Sequence, residues 1–421
     1  MSEVNEQVII GNGAAGLSAV KAIRQKGWAG RITLISAEKC NAYSPVLTTY
    51  YISGKVGEGE LFIADEEFYR RYDVNLVLGN KVTGIDASAS MVYLDNGSKI
   101  GFDNLLIASG ASPKRLDNVG ADFSDRVLTL RTIEDAKKIK GLGENVNEVI
   151  FLGAGLVSLQ IANALHKKGM KFTFVVSSEQ VLSRNIDAGC AAIVQMEIES
   201  QDISILLRRN VSEIGWEGDK LVVILDSGEE LRAEMVIVGK GTNPNIELTK
   251  ASGIKVNKGI LVDESMRTNI ENIFAAGDVA EGKSLITGEN NIVQTWPSAC
   301  EQGRIAGLNM IGSHRVTEGT LNANITRVFD LTIAAIGLTK PSNESCDEFK
   351  YVNVSEKIYR RILTRDDRLV GAVLLNRVED IGLIGSLIRN KTDISPLKGR
   401  IAKTPLDPGR VIHSIINRDC D

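Results

Sequence analysis

Val8-Ile9-Ile10-Gly11-Asn12-Gly13-Ala14-Ala15-Gly16 is a short apolar run that ends on a glycine-rich turn. Such a run fits a strand buried on both faces of a parallel sheet. Residues 17–25 follow with apolar side chains at helical spacing. Gly11 permits the tight turn, Gly13 lets backbone approach a pyrophosphate, and Gly16 lets helix and strand pack closely. The helix N-terminus then offers free N–H groups and the positive end of its dipole to phosphate. A second strand, Arg31–Ser36, ends just before Glu38, 22 residues beyond Gly16 (38 − 16). That carboxylate is placed to accept hydrogen bonds from ribose hydroxyls. Strand, glycine triplet, helix, strand and acid in this order point to a bound adenine dinucleotide.

The programme returns at Val149-Ile150-Phe151-Leu152-Gly153-Ala154-Gly155-Leu156-Val157-Ser158. Asp95-Asn96-Gly97 has a counterpart in Asp226-Ser227-Gly228, at an offset of 226 − 95 = 131. Leu106-Ile107-Ala108-Ser109-Gly110-Ala111-Ser112-Pro113 has one in Ile237-Val238-Gly239-Lys240-Gly241-Thr242-Asn243-Pro244, and 244 − 113 is again 131. Two landmarks at one offset indicate a duplicated α/β domain. Two dinucleotide sites in one chain suggest electron transfer between two cofactors.

Bulk properties narrow the class. A chain of 421 residues suggests more than one core, since single cores stop growing at roughly 250–300 residues. A net charge of −4 gives no electrostatic reason to expect nucleic acid or an anionic membrane. No stretch approaches the roughly 18 apolar residues of a membrane span, and no signal peptide precedes Val8, so a cytoplasmic location is expected. Cys40, Cys190, Cys300, Cys346 and Cys420 are scattered, and the three histidines are far apart. That pattern suits reduced thiols and lacks the spacing of zinc or iron–sulfur ligands, so no metal is expected.

Residues 270–279, Ile-Glu-Asn-Ile-Phe-Ala-Ala-Gly-Asp-Val, are similar to the second FAD signature of the pyridine nucleotide–disulfide oxidoreductase superfamily. The resemblance covers nearly the whole chain. It implies that Gly277 and Asp278 meet FAD, with the Asp278 carboxylate on the ribityl chain. Trp296-Pro297-Ser298-Ala299-Cys300-Glu301-Gln302-Gly303 resembles the following family segment. There a helix starting near Pro297 would aim its N-terminus at the flavin and stabilise negative charge on the reduced ring. The same resemblance assigns Gly11, Gly13, Ala14, Ala15, Gly16, Glu38, Lys39, Pro45, Val82, Ala108, Ser109, Gly110 and Arg131 to the FAD site.

Gly153-x-Gly155-x-x-Ser158 resembles the NAD(P) half of the family, with serine in place of the third glycine and slightly looser helix–strand packing expected. Gly153, Gly155, Leu156, Val157, Ser158, Glu179 and Gly241 are the implied NAD contacts. Where an acid would close the strand Lys171–Val176, this chain has Ser177, with Glu179 two residues on. Arg184 is the nearest cation, and no basic pair stands ready for a 2′-phosphate, so NAD is favoured over NADP.

Thiol-dependent members of the superfamily carry redox cysteine after the first ribose acid. Alignment through Tyr51-Ile52-Ser53-Gly54-Lys55-Val56 puts that sulfur near Pro45 or Val46, and neither is cysteine. Peroxidase members also carry a histidine where this chain has Ala14. The resemblance therefore implies that flavin itself takes the hydride and releases single electrons, beside Ser44, Pro45 and Lys55. No side chain is assigned a catalytic role beyond that. Tyr43-Ser44-Pro45-Val46-Leu47-Thr48-Thr49 resembles the flavin-facing segment of reductases serving rubredoxin, ferredoxin or iron–sulfur proteins. The segment from Tyr43 to Lys55 and the overall length also resemble the flavoprotein subunits of phenylglyoxylate-type 2-oxoacid dehydrogenases. That likeness implies iron–sulfur and 2-oxoacid oxidoreductase subunits as partners in a larger complex.

The expected architecture is a discontinuous FAD domain, residues 1–112 and 246–320, with an NAD domain inserted at 113–245. Each carries an antiparallel excursion closed by Asp95-Asn96-Gly97 or Asp226-Ser227-Gly228. Residues 321–421 resemble the family's α+β interface domain, which implies homodimerisation through that region. Within it, 326–336 reads as one strand, 359–363 and 369–375 as a pair across the turn 364–368, and 381–389 as a helix. The tail from 391 onward is expected to lie against a surface or a partner. A stand-alone NADH oxidase, a rubredoxin or ferredoxin reductase, and a non-catalytic redox-sensing flavoprotein remain open as alternatives.

Overall fold

The computed structural model describes residues 5–116, 123, 125–166, 169–340, 346–399, 401–409 and 411. Cys420 lies outside them. The chain forms two compact units, one of Met1–Pro45, Gly57–Ser112 and Thr242–Asn322, the other of Val46–Val56, Pro113–Gly241 and Ala323–Asp421.

The first unit is built on a parallel five-stranded sheet in the order Ile273–Ala275, Asn104–Ile107, Glu6–Ile10, Arg31–Ser36, Val74–Leu78. Val8, Ile9, Leu105 and Leu106 are wholly buried at its centre, as strands covered on both faces require. The helix Ala14–Gln25 starts three residues earlier than apolar spacing suggests, because extended Gly13 is its N-cap and two alanines can open it. A second helix, Trp296–Met310, packs on the first. A Cβ on Gly303 would run into the Ala15 carbonyl, and one on Gly307 would lie 2.7 Å from Ala19 Cα. Only glycine permits so close an approach at these two sites. The antiparallel excursion Val82–Asp86, Met91–Leu94, Lys99–Gly101 turns at Gly97, whose φ of +84° suits the hairpin.

The second unit repeats the parallel sheet as Ser204–Leu207, Lys171–Val176, Glu148–Leu152, Met235–Val238, Val127–Leu128. Corresponding hydrogen bonds hold the two glycine turns. Gly11 N–H donates to Ile35 O and Gly153 N–H to Val175 O, each at 2.8 Å. Its excursion is Val211–Glu217, Lys220–Leu225, Glu230–Ala233.

The same unit holds an antiparallel five-stranded sheet in the order Ala323–Val328, Leu331–Gly337, Arg368–Leu375, Ile358–Arg365, Asp347–Asn353. The single strand expected at 326–336 is in fact a hairpin. Phe329 adopts φ +50°, which breaks the extended run, and Val328 pairs with Leu331. Strands 359–363 and 369–375 are longer than expected because the turn tightens onto Asp366 and Asp367, both at positive φ. The helix Ile381–Arg389 falls where its spacing places it. Beyond it Ile394, Leu397, Ile401 and Ala402 are buried, so this part of the tail belongs to its own unit's core.

Candidate dinucleotide sites

In the first unit the chain makes a cradle at the carboxyl end of its central strand. Gly11 has φ +116°, and a Cβ there would meet the Ala108 carbonyl. Gly13 faces open space, with nothing within 4 Å of where its Cβ would stand. The helix Ala14–Gln25 has no side-chain cap on its first N–H groups and no acid in its first turn. By contrast Thr132 and Asp135 form a capping box on Ile133–Gly143, and Asp187 caps Ala188–Glu199. An uncapped helix start behind an open glycine is an anion site in the making.

Around it the assigned residues take definite places. Glu38 is half-buried and accepts a 2.9 Å hydrogen bond from the Tyr43 hydroxyl, which orients the carboxylate. Gly277 adopts φ +80° and donates its N–H to the buried Gln302 carboxamide at 2.8 Å, leaving Asp278 half-buried beside it. Ala14 is half-buried and Ala15 buried, the latter against the Gly303 backbone. Ala108, Ser109 and Gly110 are half-buried, and Ser109 and Asn245 bridge each other through side-chain-to-backbone hydrogen bonds. Pro297 occupies the first turn of Trp296–Met310. Ser44 donates its N–H to Leu61 O at 2.8 Å, and Pro45 is exposed. Lys39 is exposed, with its stem 3.0 Å from the place a Gly79 Cβ would take. Val82 is buried, with its side chain in the core.

Sequence reasoning missed Asn12 and Tyr69. The Tyr69 hydroxyl donates to Asn12 Oδ1 at 3.0 Å and accepts from Ala42 N–H at 3.1 Å. Burial pushes the Tyr69 phenol up, so it stays protonated as that donor. Asn12 Nδ2 is then left buried without a partner inside the glycine turn. A buried amide donor needs an acceptor. With the open Gly13 and the uncapped helix, it fits a dinucleotide such as FAD.

In the second unit Gly153 has φ +105° and packs on the Gly239 carbonyl, while Gly155 faces open space. The helix Leu156–Leu165 begins at Gly155 with no side-chain cap or first-turn acid. Leu156 is half-buried and Val157 is exposed. Ser158, in the third glycine's place, is buried but does not loosen the packing as expected. Its hydroxymethyl uses the space left by Gly239, where any Cβ would collide with Ser158 Oγ. Gly239 corresponds to Ala108 of the first half (239 − 131).

Glu179 is exposed and ion-paired at 2.9 Å with Arg208. The expectation of no basic pair near this loop is corrected. Arg208 and Arg209 arrive from the neighbouring strand, where sequence distance hid them, and hydrogen-bond the loop at Ser178 O and Val176 O. Arg184 approaches Gly241, 3.1 Å from where its Cβ would be. Lys55 is exposed and lies over the Tyr50 ring, and Arg131, also in this unit, donates its N–H to Asp135 at 2.9 Å.

Among the described residues no group of three or more His, Cys, Asp or Glu is placed to hold a metal ion. No described helix is long and apolar enough to cross a membrane. Cys190 is fully buried, and desolvation pushes its thiol far up, which removes it as a nucleophile.

Residues 5–303 match the pyridine nucleotide-disulphide oxidoreductase family, and residues 323–392 match the rubredoxin NAD+ reductase C-terminal domain. The NADH-dependent phenylglyoxylate dehydrogenase subunit epsilon of Aromatoleum evansii is 29% identical, over 98% of this chain and 98% of its own. An NADH oxidase of Methanocaldococcus jannaschii is 33% identical, over 79% of this chain and 76% of its own. The crystal structure of the covalent putidaredoxin reductase–putidaredoxin complex superposes with a TM-score of 0.90 at 23% identity. It covers 98% of this chain and 99% of its own, and shows the same fold. With two Rossmann-like halves and an α+β C-terminal region, this is an FAD-dependent oxidoreductase that works with NAD(H), and it belongs to the pyridine nucleotide-disulphide oxidoreductase family.

Proposed function

We propose that the chain is the NAD-reducing flavoprotein subunit of a CoA-acylating 2-oxoacid dehydrogenase complex of the phenylglyoxylate type. Electrons released by oxidative decarboxylation on partner subunits would pass through iron–sulfur clusters to FAD here and leave as hydride on NAD+. One observation carries the reading: Pro45 and Val46 stand where the family resemblance puts a redox sulfur, while each of the two glycine turns opens onto an uncapped helix start. Isoalloxazine supplies both one- and two-electron chemistry when bound, so a chain without redox sulfur can still couple hydride to single electrons. End-to-end likeness to the Aromatoleum evansii subunit supports the choice of complex.

On this reading residues 1–112 and 246–320 form the FAD domain, 113–245 the NAD domain and 321–421 an interface domain. Gly11, Gly13 and the helix start behind them hold the FAD pyrophosphate, Glu38 the ribose and Asp278 the ribityl chain. Gly153, Gly155 and Leu156–Leu165 hold the NAD pyrophosphate. The purified chain should be yellow, carry one FAD, and reduce artificial dyes with NADH but show no CoA-dependent 2-oxoacid activity. Pull-down from native cells should recover iron–sulfur and thiamine-diphosphate subunits. A solitary homodimer with fast oxygen turnover would establish an NADH oxidase instead. That second reading is favoured by the likeness to the Methanocaldococcus jannaschii NADH oxidase.

A further inference from the structure

The loop after Lys171–Val176 is where the proposed NAD site would read the adenosine ribose, and its surroundings are not those of an NAD-only reader. A carboxylate that accepts from the 2′-hydroxyl repels a 2′-phosphate, whereas arginine accepts the phosphate. Here the strand is followed by Ser177 and Ser178, neither of them charged, with Glu179 next. The adjacent strand Ser204–Leu207 delivers two arginines to the same loop. Arg208 N–H donates to Ser178 O at 3.2 Å and Arg209 N–H to Val176 O at 3.1 Å. Arg208 takes φ +55° and places Nη2 2.9 Å from Glu179 Oε1. Arg209 Nη1 donates to Arg208 O at 3.1 Å.

The two partners of the ion pair are 69% and 77% exposed, so solvent screens it and little holds it closed. Either partner is available to a ligand. With the carboxylate engaged, ribose hydroxyls find an acceptor; with the carboxylate displaced, a 2′-phosphate meets the Arg208 guanidinium, behind which Arg209 Nη1 holds the Arg208 carbonyl. We propose that the Arg208–Glu179 pair, with Arg209, makes this a dual nucleotide site that accepts NADPH as well as NADH. The inference rests on the proposed placement of NAD at the second glycine turn.

Opposite shifts from the two halves of one ion pair are the test. Flavin reduction is followed by stopped flow with NADH and with NADPH. Binding of adenosine 2′,5′-bisphosphate and of 5′-AMP is measured by calorimetry on the holoprotein. Arg208→Ala should lower NADPH efficiency and bisphosphate affinity by at least roughly tenfold, the scale of one charge-assisted hydrogen bond, and should not weaken NADH, for which it frees the Glu179 carboxylate. Glu179→Ala should do the reverse, weakening NADH while improving NADPH. Arg208→Lys, which keeps the charge without the fork, should fall between Arg208→Ala and the parent.

Unchanged NADPH:NADH ratios, shifts of the same sign in both variants, or a parent protein blind to NADPH would overturn the dual site alone, provided NADH still reduces the flavin. Reduction by neither nucleotide would overturn the dinucleotide assignment as well.

Discussion

At the scale of single residues, the second glycine turn shows how a motif survives losing one of its glycines. Gly16 in the first half cannot carry a Cβ, because the Gly11 carbonyl and Ile9 occupy the space. In the second half Ser158 does carry one, and Gly239 has given up its own to make room. Gly239→Ala should therefore destabilise the protein by about 1–3 kcal/mol, the usual cost of overpacking. Ser158→Gly in the same chain should restore most of that loss. Urea unfolding of the four proteins of this cycle checks it, and an identical cost of Gly239→Ala in both backgrounds would show that the Ser158 contact is not the cause. Neither residue announces this in the sequence, because they are 81 positions apart (239 − 158) and meet only across a helix–strand crossing.

Among the elements, the C-terminal sheet and the tail are held by one buried ion pair. Arg360 and Asp380 are each 1% exposed and meet through two hydrogen bonds, at 3.0 and 2.7 Å. Arg360 also donates to Arg377 O and Ala402 O, and Asp380 accepts from Leu406 N–H. The pair thus satisfies backbone of the tail that would otherwise be buried unpaired. Removing one partner leaves the other charged and desolvated, so Asp380→Ala should cost about 3–5 kcal/mol. Limited proteolysis should then cut near residues 403–407 earlier than in the parent. Replacing both, as Arg360→Met with Asp380→Leu, should cost less than either single change; a double variant as unstable as the sum would refute a pairing role. Periodicity located the strand that carries Arg360 and the helix that Asp380 precedes, but not their pairing, which depends on the fold of the sheet.

For the whole molecule, the proposed function requires that electrons pass through flavin without visiting a sulfur. Cys40 is half-buried, Cys190 is sealed in the core, and Cys300 lies on the helix Trp296–Met310. If flavin alone carries the electrons, Cys40→Ser should lower NADH:dye activity by less than about threefold, since no covalent step is lost. Thiol alkylation should leave flavin reduction intact. A hundredfold loss would restore a sulfur-based mechanism.

Local chemistry is what the sequence determined by itself. Strand, glycine turn and helix are contiguous, so residues 8–16 and 149–158 identify two dinucleotide folds without help from distant chain. The expectation of no redox cysteine at Pro45 or Val46 is equally local, because it is read from those residues without tertiary context. Only the tertiary structure decided what crosses the sheet. Asn12 became an orphaned donor through Tyr69, Gly239 made room for Ser158, and Arg208 came to face Glu179 from the next strand. Each depends on segments that a whole crossover or more separates in sequence, so sequence spacing carries no record of contact.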